Sequence, residues 1–112
     1  MGLADRLDGY SETKTYPDGT VVRITIHRTV SDSYPSGWRY TLHYGYLQSG
    51  PDEHGDGTIL RYDNAHEVTK GHECHRGTAA EVERVEFTDI VDIWDRFWRA
   101  VPKEPFGPNG ED

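Results

Sequence analysis

The feature that most narrows the fold is a two-residue period running through residues 20–47. In Thr20–Val30, Val22, Ile24, Ile26 and Val30 fall on one side of an extended chain, and Arg23, Thr25, His27 and Thr29 on the other. Trp38–Leu47 repeats the pattern, with Trp38, Tyr40, Leu42, Tyr44 and Tyr46 opposite Arg39, Thr41 and His43. Neighbouring strands of this kind make an antiparallel sheet with one face on a core and the other towards water.

The flanking segments extend the sheet. Pro17-Asp18-Gly19 is a turn signal, because proline presets φ and glycine accepts positive φ, so it closes a hairpin between Thr13–Tyr16 and the strand from Thr20. DSYPSG (32–37) is a loop and QSGPDEHGDG (48–57) a polar turn. Thr58–Asn64 reads as a third strand, His72–Thr78 as a fourth, and Glu83–Phe87 as a further edge strand. Residues 3–10 suit a short helical turn. Thr88–Val101 is the helix: Thr88 can cap it, Asp89 and Asp92 suit its positive end, and Ile90, Ile93, Trp94, Phe97 and Val101 recur at helical spacing before Pro102. The predicted fold is α+β, an antiparallel β-meander of four to six strands with one C-terminal α-helix packed on its apolar face. A single domain is expected over 1–102, with 103–112 (KEPFGPNGED) a disordered tail.

Composition bounds function more loosely. Aromatics are 12% of a chain that is only 34% hydrophobic, so the core rests on Trp, Tyr and Phe. The net charge of −8 does not favour nucleic acid in bulk. Only Lys14, Lys70 and Lys103 are lysines among twelve basic residues, which fits a halophilic source where surface carboxylates keep proteins soluble. Against that acidity, the polar face of the strands collects Arg23, His27, Arg39, His43 and Arg61, either as ordinary solvent-facing residues or as a basic docking surface. One cysteine, Cys74, allows no internal disulfide and fits a cytoplasmic location. MGLADRLDGY has neither the basic start nor the apolar run of a signal peptide, and no stretch is long and apolar enough for a membrane span.

The chemistry-bearing residues crowd into 61–76, RYDNAHEVTKGHECHR. Three of six histidines, His66, His72 and His75, stand here with Cys74, Arg61, Tyr62, Asp63, Asn64, Lys70 and Arg76. His66, His72, Cys74 and His75 are ligand types that suit Zn²⁺, although strand alternation puts His75 opposite His72 and Cys74 unless the strand breaks. Without metal, paired imidazoles can take a proton from an RNA 2′-hydroxyl and return one to the leaving group. Arg61, Lys70 or Arg76 would hold the phosphate, and Tyr62 would position a base. A purely structural network of Asp63, Asn64 and His66 is the third reading.

RYDNAH (61–66) followed by GHECH (71–75) resembles the signature of the TumE-like toxins of toxin–antitoxin modules, and the likeness extends over roughly residues 20–100. The resemblance implies a toxin, neutralised by a helix-turn-helix antitoxin, and by analogy with other small α+β toxins an RNA-cleaving one. Arg61, Tyr62, Asp63, Asn64, His66, His72 and His75 fall on the motif. Glu73 and Cys74 depart from it, standing where a histidine or basic residue is usual. The expected site is then His66, His72 and His75 as catalytic groups, with Arg61, Tyr62, Asp63, Asn64, Lys70, Arg76 and His43 towards substrate and no required cofactor. Two alternatives stay open: a non-catalytic module binding protein or nucleic acid, and a zinc protein. Homodimerisation is likewise open.

Overall fold

The computed structural model describes residues 2–47, 57–77 and 81–108. Most of the predicted 48–57 turn, Thr78 and the last four residues of the expected tail lie outside them. The elements are α1 (Leu3–Leu7), β1 (Tyr10–Thr15), β2 (Thr20–Arg28), β3 (Trp38–Tyr46), β4 (Thr58–Asp63), α2 (Glu67–Lys70), β5 (His72–Arg76), β6 (Val82–Val85) and α3 (Ile90–Ala100). The strands form one six-stranded antiparallel sheet in sequence order, the predicted meander.

One face of this sheet is the core. Val22, Ile24, Ile26, Trp38, Tyr40, Leu42, Tyr44, Leu60, Tyr62 and Cys74 are buried there with Ile90, Ile93, Trp94, Phe97 and Trp98 of α3. Leu7 of α1 joins them, fully buried. The helix begins one residue later than predicted. Asp89, in an extended conformation, accepts the Asp92 N–H at 2.8 Å, so the cap is Asp89 and not Thr88.

Two aromatic or aliphatic positions assigned to the core lie outside it. Val30 falls beyond the end of β2 and is fully exposed, and Tyr46, at the end of β3, is 56% exposed. A register shift between Tyr44 and Gly45 bends β3 just before Tyr46. Gly45 permits it: a Cβ there would stand 2.5 Å from the Gly57 carbonyl oxygen.

The chain after α3 is held as far as Phe106, which is inside the segment expected to be a disordered tail. Lys103 pairs with Asp18 across the Pro17-Asp18-Gly19 turn, and its ammonium sits 4.6 Å from the Tyr16 ring centroid. Phe106 meets Trp98 edge-on at 5.0 Å. No helix among the described residues is long and apolar enough to cross a membrane.

Candidate functional site

The register of the sheet decides which motif residues meet. Across β2 to β5, Arg23 opposes His43, His43 opposes Arg61, and Arg61 opposes His75. The adjacent row is Thr25, Thr41, Asp63 and Glu73. Directly opposed residues share a face. The two rows therefore lie together on the outer face, away from α3. Arg23, Thr25, Thr41, His43 and Arg61 line an open depression of about 380 Å³, and His75 stands on the strand beyond Arg61.

Within these rows the contacts are ionic. Arg61 Nε donates to Asp63 Oδ2 at 2.8 Å. His75 Nε2 lies 3.4 Å from the same oxygen and 3.2 Å from Glu73 Oε1. His75 Nε2 therefore lies between two carboxylates. His43, expected towards substrate on the polar face of the sheet, is buried, and its Nε2 lies 3.1 Å from Thr58 Oγ1.

His72 is on the other face. Its Nδ1 is 2.8 Å from the Tyr40 hydroxyl, its Nε2 is 3.5 Å from Glu67 Oε2, and its ring stacks on Phe87 at 4.4 Å. Burial lowers its pKa, against an opposing pull from the Glu67 carboxylate. Burial also drives the Tyr40 hydroxyl strongly upward, and the two groups form a hydrogen-bonded pair at the margin of the core. Cys74 is buried beside Tyr62, and burial raises the pKa of both. A four-ligand zinc site of His66, His72, Cys74 and His75 is therefore not formed. The strand does not break at Cys74, and the sheet stands between His72 and Cys74 on one side and His75 on the other.

His66 is separate from both. It is exposed, in a left-handed conformation (φ 61°), and its carbonyl accepts the N–H groups of Thr69 and Lys70 at the start of α2. Beside it are Ser31, Ser33 and Tyr34 of the β2–β3 loop. Lys70 is exposed at the end of α2. Arg76 reaches Glu83 at 4.0 Å.

Asn64 is fully buried and replaces strand pairing where β4 stops. Its Oδ1 accepts the Tyr40 N–H at 3.0 Å, and its Nδ2 donates to the Trp38 carbonyl at 2.7 Å and to Glu67 Oε1 at 2.8 Å. Glu67 in turn accepts Ser36 N–H and Oγ–H, both at 2.9 Å, and so pins the β2–β3 loop. Of the motif, Arg61, Asp63 and His75 are thus brought together on the outer face with His43. Tyr62, Asn64 and His72 build the inner face and the strand end. Glu67 is not among the expected site residues, and Arg23 is expected only as a member of the basic polar face. Arg23 could be found from its place on the polar face of β2, whereas Glu67 sits in a four-residue helix that periodicity cannot reveal.

Neither the curated proteins nor the solved structures give a significant match to this chain. A family model described as Toxin TumE matches residues 5–104, covering every element from α1 onward in whole or in part, and the chain therefore belongs to the TumE toxin family, the toxin component of a toxin–antitoxin module.

Proposed function

We propose that this toxin cleaves RNA on the outer face of its sheet, by internal attack of a 2′-hydroxyl and without a required metal. The observation that carries the reading is the row Arg23–His43–Arg61–His75, which sets two imidazoles on either side of a guanidinium on one face. His43 and His75 are two strands apart, about 10 Å between Cα atoms at the usual strand spacing. That leaves room for a phosphodiester over Arg61. One imidazole takes the 2′-hydroxyl proton as the 2′-oxygen bonds to phosphorus. The bond from phosphorus to the 5′-oxygen breaks, and the other imidazole returns a proton to that leaving oxygen. Arg61 and Arg23 offset the charge that gathers on the phosphoryl oxygens.

Asp63 and Glu73 fit this scheme as the groups that hold His75 in place, through its Nε2. They do not suit direct contact with phosphate, which their charge repels. The catalytic roles expected for His66 and His72 pass to His43, while His75 keeps its role. A cognate antitoxin, of the helix-turn-helix kind implied above, would neutralise the toxin by covering this face or distorting it.

The test is cleavage of a defined RNA by purified protein in the presence of EDTA. Products ending in a 2′,3′-cyclic phosphate, with no cutting at a single 2′-deoxy position, are expected. Cleavage of the 2′-deoxy site, or cutting that persists in His75→Ala at the wild-type rate, would remove the mechanism.

A further inference from the structure

Asp63, Glu73 and His75 are a group whose ligand atoms all lie within 4.8 Å of one another. The placement follows from register: Asp63 opposes Glu73, and His75 follows Glu73 by two residues on the same face of β5. The side chains are 10%, 16% and 20% exposed, so the group is mostly withdrawn from water yet open to the outer surface.

The distances are more informative than the composition. His75 Nε2 is 3.4 Å from Asp63 Oδ2 and 3.2 Å from Glu73 Oε1. Both exceed the roughly 2.7–2.9 Å of a good charge-assisted hydrogen bond, and one N–H cannot point at two oxygens. Both match the edge of a tetrahedron with bonds of 2.0–2.1 Å to a central ion, about 3.3 Å. Two of the three ligand separations therefore already fit a zinc coordination shell, and all three lie within 4.8 Å.

We infer that Asp63, Glu73 and His75 bind one Zn²⁺ ion, with water completing the shell. One imidazole and two carboxylates are ligands zinc accepts, and it outcompetes Mn²⁺ at a nitrogen-containing site of this type. Two carboxylates near each other also favour a dication electrostatically, with Arg61 on Asp63 Oδ2 as the competing cation. A ligating imidazole presents a lone pair, so Nε2 meets the ion unprotonated. On the acid–base reading of His75 proposed above, the bound ion takes His75 out of proton transfer, so zinc is an inhibitor of the toxin and not its cofactor.

The experiment is calorimetric titration of tag-free, metal-stripped protein with zinc chloride, without RNA. One equivalent bound per chain is expected. Glu73→Gln and His75→Ala, each checked for wild-type circular dichroism, should weaken binding at least about tenfold, and His66→Ala should leave it unchanged. X-ray absorption should show one imidazole and otherwise oxygen donors. Absence of binding, affinity untouched by Glu73→Gln, or sulfur in the shell would overturn the site. The titration holds no RNA, so it can fail or succeed separately from the cleavage assay. In the same assay run without EDTA, zinc should suppress cutting at the concentration that half-fills the site, and unaltered cleavage at full occupancy would overturn the inhibitory role.

Discussion

Replacing Asn64 with alanine tests the claim that one motif residue is a surrogate for strand pairing. Strand β4 stops pairing with β3 at Asp63, and the Asn64 side chain serves Tyr40 N–H and the Trp38 carbonyl in place of the next backbone pair. Both backbone groups belong to buried residues. Leaving the Tyr40 N–H unsatisfied costs about 1–3 kcal/mol, while the Trp38 carbonyl keeps only the longer bond from the Ser36 hydroxyl at 3.3 Å, so its loss costs less. Glu67 Oε1 loses a donor as well, but keeps the Ser36 hydroxyl at 2.9 Å, so its loss is smaller. The expected destabilisation is about 2–4 kcal/mol, a large share of the 5–15 kcal/mol typical of a domain. Urea unfolding followed by the fluorescence of Trp38, Trp94 and Trp98, all buried, reads it directly. Asn64→Asp separates the two hydrogen-bonding roles. It keeps an acceptor for Tyr40 N–H but sets an oxygen against both the Trp38 carbonyl and Glu67 Oε1. Glu67 raises the folded-state pKa of the new carboxyl above its unfolded value of about 3.9. Its penalty is then largest at neutral pH and shrinks as pH falls through that raised value. A loss below about 1 kcal/mol for Asn64→Ala, with an unchanged denaturant slope, would refute the pairing argument.

Other perturbations have equally definite outcomes. His66→Gly should leave stability unchanged or raise it by up to about 1 kcal/mol in the same urea assay, because a left-handed conformation strains a side chain that glycine lacks. Phe97→Ala, at a fully buried position on α3, should cost about 3–5 kcal/mol, and a loss under 1 kcal/mol would contradict the packing of that helix on the sheet. Hydrogen bonding from Lys103 is the main cause holding the Asp18 carboxyl down to about 2, so their contribution is present above the unfolded value near 3.8 and is lost as pH falls towards 2. Thermal melts of Lys103→Met between pH 2 and pH 5 should lack that part of the acid dependence. Gly45→Ala should destabilise the protein and shift the His43 imidazole resonances, since the added Cβ would meet the Gly57 carbonyl oxygen at 2.5 Å and the His43 ring at 3.0 Å.

The meander and its covering helix follow from patterning strong enough to survive without tertiary information. Val22, Ile24, Ile26 and the Trp38–Tyr44 alternation can satisfy only one sheet face, and the spacing of Ile90, Ile93, Trp94 and Phe97 only one helix face. The ends were less well marked. Whether Thr88 or Asp89 caps α3 depends on backbone conformation, because both residue types can cap. Pattern also does not limit a strand at a bulge, so Tyr46 was assigned to the core although β3 turns away at Gly45. The site was legible by residue type but not by partnership. RYDNAH and GHECH are contiguous in sequence, yet strand alternation sends His72 to Phe87 and His75 to Asp63. The partner of His75 across Arg61 is His43, eighteen residues upstream of Arg61, and only the pairing of β3 with β4 makes them neighbours.

The central claim is that proton transfer and phosphate binding occur on the outer face, and that His66 and His72, elsewhere in the motif, take no part in them. It is tested most directly by the RNA cleavage rate, in EDTA, of wild type, His75→Ala, Arg61→Ala and His66→Gly proteins matched for folded content. The account predicts cleavage by wild type and His66→Gly at similar rates, and a loss of at least about a hundredfold for His75→Ala and Arg61→Ala. Wild-type cleavage by His75→Ala together with loss of activity in His66→Gly would contradict it, and would place the chemistry beside the β2–β3 loop instead.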